Sequence, residues 1–168
     1  AGGESGHIAV TPGHPELTYA GNYIGQIDRF DRSTGERQNV IISPQLADGV
    51  APKELAYRFQ WNAPILISPH DPAVVYHTSN FVHRTTDGGI NWETISPDLT
   101  SNDVEKQELP GGPIQHDHSG VEVYGTVFAF EESPHSPGML WAGTDDGLIQ
   151  VSADAGGNWT DVTPESLP

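Results

Sequence analysis

His116-Asp117-His118 places two imidazoles and a carboxylate within three residues, the donor types that hold a divalent cation. On a strand both imidazoles would face one side, and a third ligand must come from elsewhere. A polar loop leaving Gly111-Gly112-Pro113 is the other meaning of the same residues. Beside them stand Glu122, which alternates with Val121 and Val123, and the Asp145-Asp146 pair. Glycoside hydrolysis needs two carboxyl groups about 5 to 9.5 Å apart, one of them kept protonated, and these are the acids to inspect for it. Turn formation explains Asp145 and Asp146 equally well. His116, Asp117, His118, Glu122, Asp145 and Asp146 together make the candidate ligand face. No cofactor is identifiable there, and the charge favours a divalent cation or a hydroxyl-rich ligand over an anion.

That charge belongs to the whole chain of 168 residues: seven Lys plus Arg stand against 23 Asp plus Glu, for a net −16. Such a surface repels phosphate backbones and anionic lipid alike, which excludes nucleic acid as a partner. No apolar run approaches the roughly 20 residues of a membrane helix, so membrane insertion is not expected. The start Ala1-Gly2-Gly3 carries neither an initiator Met nor a signal-peptide pattern and reads as a cut end. Cysteine is absent, which removes disulfides and thiolate metal sites. Nineteen Gly and 14 Pro spread between short runs of Val, Ile, Thr, Tyr and Phe suit many short strands joined by turns.

Two repeated strings organise those strands. Thr85-Thr86-Asp87-Gly88-Gly89-Ile90-Asn91-Trp92 recurs as Ser152-Ala153-Asp154-Ala155-Gly156-Gly157-Asn158-Trp159, both reading Ser/Thr-x-Asp-x-Gly-x-x-Trp. The carboxylates of Asp87 and Asp154 can accept their own turn's backbone N–H groups. Gly89 and Gly156 can take a positive φ, and Trp92 and Trp159 open the next strand with a large ring. Thr85 and Ser152 complete the two turns. Phe30-Asp31-Arg32-Ser33-Thr34-Gly35 is a degenerate third copy that lacks the Trp. The second string runs through Thr11-Pro12-Gly13-His14-Pro15, Ser68-Pro69-His70-Asp71-Pro72 and Ser133-Pro134-His135-Ser136-Pro137, at intervals longer than the roughly 40–50 residues of common propeller repeats.

The Asp-containing string resembles the Asp-box, or bacterial neuraminidase repeat, of sialidases, sortilin-type receptors and tandem-propeller xyloglucanases. There it sits in the outer hairpin of β-propeller blades and its Asp is structural. Further strings, Tyr57-Arg58-Phe59-Gln60-Trp61, Ser96-Pro97-Asp98-Leu99-Thr100 and Gly143-Thr144-Asp145-Asp146-Gly147, are similar to large, generally exported bacterial proteins with sortilin-type propellers, often labelled glycosyl hydrolase. The resemblance covers essentially the whole chain. Where members often show Asp-Asn-Thr, this chain has Asp117-His118-Ser119.

The expected fold is all-β: a β-propeller segment of about three four-stranded blades with Asp-box turns, residues 1–168 forming part of one propeller. Blade 1 is expected over about 7–42, blade 2 over about 59–97 and blade 3 over about 124–163. Insertions fill 43–58 and 98–123. Up-and-down order puts both insertions and the 144–147 turn on one face, and His14, His70 and His135 with the Asp-boxes on the other. Binding chemistry is expected on the insertion face, because long loops on a rigid scaffold commonly carry it.

The leading functional reading is an exported scaffold, secreted, periplasmic or cell-surface, that binds a glycan or protein ligand. Its partners would be the remaining blades or neighbouring subunits. A xyloglucanase-like glycoside hydrolase completed by other blades is the alternative, and a structural surface or assembly protein the third. No catalytic set is identifiable within the segment. A sialidase would need an arginine cluster and its Arg-Ile-Pro signature, whereas Arg29, Arg32 and Arg37 crowd one solvated turn and the signature is missing.

Overall fold

The computed structural model describes residues 6–111, 114, 116, 118–121 and 123–166. Among the described residues, twelve strands form three antiparallel sheets, each a run of four consecutive strands. The first holds β1 (Ile8–Thr11), β2 (His14–Gly21), β3 (Ile27–Asp31) and β4 (Glu36–Asn39). The second holds β5 (Ile65–Ile67), β6 (Val75–Thr78), β7 (Val82–Thr85) and β8 (Glu93–Thr94). The third holds β9 (Val127–Glu132), β10 (Leu140–Thr144), β11 (Ile149–Ser152) and β12 (Thr160–Asp161).

Alternation along the strands assigns the faces. In the second sheet Leu66, Tyr76 and Arg84 stand opposite one another in register and share a side, while Ile65, His77, His83 and Thr94 share the other. Both sides are covered. Ile65, Ile67 and Val75 pack with Tyr19, Ile27 and Val40 of the first sheet, and Tyr76 and Val82 with Val127, Phe130, Leu140 and Ala142 of the third.

The propeller expected from the repeats is not formed. The three sheets stand in an open row, not closed into a ring, and the main strand-to-strand contacts between them are those of β1 and β2 with β5 and of β6 with β9. Closure would require cover for the outer faces of the first and third sheets. Those faces are open: Ile8, Val10 and Phe30 on one and Trp141 on the other are exposed, as is Phe128 at the irregularity in β9. The corrected architecture is an all-β chain of three four-stranded sheets with limited contact between them.

Candidate functional site

The two Asp-containing turns are built alike, atom for atom. The Thr85 hydroxyl donates to Asp87 Oδ1 at 2.8 Å and accepts from Gly89 N at 3.0 Å. Asp87 in turn accepts from Asn91 N at 2.9 Å and Asn91 Nδ2 at 2.7 Å. In the third sheet Ser152 donates to Asp154 at 2.9 Å and accepts from Gly156 N at 2.9 Å. Asp154 then takes Asn158 N at 2.8 Å and Asn158 Nδ2 at 2.6 Å. These donors hold the ionised carboxylate of Asp87 down to about 2, the Asn91 N–H first among them, and lower that of Asp154 as well.

Each turn also reaches the sheet before it. Trp92 Nε1 donates to Val40 O and Trp159 Nε1 to Ile95 O, both at 2.9 Å, so each half-buried indole spans from its own sheet to the residue just beyond the preceding sheet's last strand. Gly89 lies so close that a Cβ there would come within 2.6 Å of Val40 Cβ, and one on Gly156 within 2.6 Å of Ile95 O. The glycines are therefore required by the approach as well as by their positive φ of 91° and 97°.

At the opposite end the carboxylates are also engaged. Asp145 accepts from Gly125 N at 3.0 Å, Thr126 N at 2.8 Å and Thr126 Oγ1 at 3.1 Å. Desolvation raises its pKa against these bonds. Asp146 accepts from Ser101 N and Ser101 Oγ, both at 2.7 Å, and from the Thr144 hydroxyl. His116 is exposed and forms a backbone bridge with Gly111. His118 is buried against the first insertion, where its carbonyl accepts from Gly49 N at 2.9 Å and its Nε2 meets no hydrogen-bond partner among the described residues. Asp117 and Glu122 lie outside the described residues. Among the described residues no hydrogen bond joins either imidazole to Asp145 or Asp146, and no group of three or more His, Cys, Asp or Glu is arranged to hold a metal ion.

The residue that ties this end together, Arg58, is not among the sequence candidates. It is only 5% exposed, with Nε donating to Gly125 O at 3.0 Å and Nη2 to Asp98 Oδ2 at 2.8 Å and Thr100 Oγ1 at 3.0 Å. Its backbone N–H donates to Asn80 Oδ1 at 3.0 Å, and Asn80 Nδ2 returns to Asp98 at 2.8 Å. Arg58 thus joins both insertions and the approach to β9 through its guanidinium, and the β6–β7 turn through its backbone N–H. Next to it Phe59 stacks on His77 and His83, while Tyr57 meets His83 edge-on. Burial pushes the two imidazoles down, to about 4 for His77 and about 3 for His83, so both are neutral. Glu132, a buried carboxylate at the joint of the second and third sheets, accepts from Gly138 N at 2.8 Å. Burial and the charge of Glu132 push the Tyr76 phenol up to about 12. No local pattern in Tyr57-Arg58-Phe59 marks Arg58, because the partners of its guanidinium lie 40 to 67 residues away.

A cleft of about 490 Å³ opens where the second sheet meets the turn of the third. Its walls come from Arg84, the Glu93 to Pro97 stretch and the 154–157 turn. Arg84 Nη2 pairs with Glu93 at 2.7 Å, which sets one charge of each sign on its rim. The cleft lies at the turn end of the sheets, away from the expected ligand face.

Neither a protein-family model nor a curated protein matches the chain. Solved structures do. A GH74 xyloglucanase from Xanthomonas campestris aligns over 96% of this chain and 23% of its own, with 20% identity and a TM-score of 0.59. YCF48 from Cyanidioschyzon merolae aligns over 95% and 37%, with 18% identity and a TM-score of 0.53. A structure of YCF48 bound to D1 peptide aligns over 96% and 40%, with 13% identity and a TM-score of 0.51. The chain therefore spans well under half the length of each. At these identities the likeness is one of fold, so the Asp-box resemblance is carried no further than a β-sheet architecture shared with an enzyme and with a peptide-bound protein.

Proposed function

We propose that the chain is a non-catalytic scaffold that binds an extended protein segment in the cleft between β8 and the Asp154 turn. The cleft itself carries this reading: it is a groove between the second sheet and the Asp154 turn, lined in part by Gly156 and Gly157, with Arg84 and Glu93 in its wall. The net charge of −16 suits a basic or uncharged segment. The fold likeness to YCF48, solved with a peptide, supports a scaffold role. Hydrolysis has less support here, because Asp98, Asp145 and Asp146 each spend their oxygens on holding loops.

Peptides selected from a displayed library on the 168-residue chain, then titrated by calorimetry, test the proposal. Basic peptides should bind, and Glu93→Lys should weaken them at least about tenfold by reversing the rim charge. Unchanged binding in that variant would move the site elsewhere. Hydrolysis of a xyloglucan oligosaccharide that disappears in Asp145→Asn or Asp146→Asn would replace the scaffold with the enzyme.

A further inference from the structure

Three positions recur in each sheet with the same geometry. Val40 N donates to Ile27 O at 2.9 Å, Ile95 N to Val82 O at 2.9 Å and Val162 N to Ile149 O at 2.8 Å. Tyr19, Tyr76 and Trp141 occupy matching places on the second strand, paired in register with Arg29, Arg84 and Val151. In the first two sheets all six of these apolar residues are at most 8% exposed, because the first two strands of the next sheet and the Trp of its turn cover them. In the third sheet Trp141 is 44% and Val162 39% exposed, and Ile149 is half-buried. The residues that receive a following sheet and its turn Trp in two sheets are thus present in the third without them.

We infer that the outer face of β10 to β12 is a docking surface for one more turn of the Gly-x-x-Trp kind, carried by a sheet that is not part of these 168 residues. Recognition would repeat the two joints already formed. The incoming indole N–H donates to Val162 O as Trp92 does to Val40 O and Trp159 to Ile95 O, and the incoming glycine lies on Val162 where a Cβ would clash. One element differs. Arg29 lies under Gly88 in the first joint and Arg84 Nη1 reaches Ala155 O at 3.5 Å in the second, whereas the third sheet offers Val151. The surface therefore selects a turn that is apolar at the residue before its glycine. A second copy of this chain is a poor occupant: Trp92 and Trp159 are engaged within their own chain, and the first sheet has Arg37 where the Trp would stand, three residues before Val40.

The probe is a disulfide-cyclised hairpin with the sequence of residues 81–95, titrated into the isotope-labelled chain and followed by NMR. Saturable shifts are expected at Ile149, Val151, Val162 and the Trp141 indole. They should weaken at least about tenfold when the probe's Trp is replaced by Ala, and vanish in the chain carrying Val162→Arg, an exposed position that tolerates the change in folding. Three results would each overturn the inference. One is no saturable shift up to about 1 mM probe, the second equal binding of the Trp and Ala probes, and the third self-association of the unliganded chain that Val162→Arg abolishes.

Discussion

At one end of the sheets the same turn is used twice, with each Asp, Gly and Trp bonded within its turn or to the residue just past the preceding sheet. At the other end nothing repeats. There a single Arg58 collects Gly125, Asp98 and Thr100 from distant segments, and two neutral histidines lie beneath Tyr57 and Phe59. The first end is made of small interchangeable parts, so losing one leaves the others. The second rests on one buried cation, so its loss is felt in every segment it joins.

The largest expected effect sits at the second end. Arg58→Met leaves Asp98 partly buried without its cation and should cost about 3–5 kcal/mol in urea unfolding. A loss under about 1 kcal/mol would erase the contrast between the ends. Next comes pH. His77 and His83 are held neutral with values of about 4 and about 3 against 6.5 in the unfolded chain, so the unfolded state takes up protons below pH 6.5 while the folded state does not. Stability should be complete above about pH 6.5 and fall as pH drops toward the folded values, by an amount on the order of a few kcal/mol. Replacing both by Gln and repeating the unfolding at pH 7 and pH 5 checks it, since the difference between the two pH values should shrink.

Smaller changes belong to the turn end. Thr85→Val removes the hydroxyl that accepts from the buried Gly89 N–H and should cost about 1–3 kcal/mol. The smallest effect separates the two turns from each other. Ala155 sits at a φ of 58° where the first turn has Gly88 at 78°, so Ala155→Gly should raise stability by about 0.5–1 kcal/mol, read from the unfolding midpoint. A decrease would mean that the two turns are not equivalent.

The repeating end was legible in the sequence because its chemistry is local: Asp87 and Asn91, or Asp154 and Asn158, lie four residues apart and meet within one turn. The strands beside these turns follow from them as well, β7 ending at Thr85 and β11 at Ser152, the residues that open the two turns. Closure into a ring was not legible, because it depends on what covers Trp141 and Ile8, and a repeat count says nothing of that. Nor was the role of Arg58. Its partners stand as far as 67 residues away, and nothing in Tyr57-Arg58-Phe59 announces a carbonyl at Gly125. Asp145 and Asp146 were singled out for being acidic neighbours, yet each faces a different loop.

The simple strand order within each sheet has a consequence in time. Hairpins between consecutive strands close short loops and form within microseconds, whereas the bonds of Trp92 to Val40 and Trp159 to Ile95 bridge 52 and 64 residues, and that of Arg58 to Gly125 bridges 67. Folding should therefore begin as three separate meanders and be joined afterwards by indole and guanidinium. Substitutions at the tryptophans and at Arg58 should then speed unfolding more than they slow refolding, the kinetic mark of contacts made after the barrier is crossed.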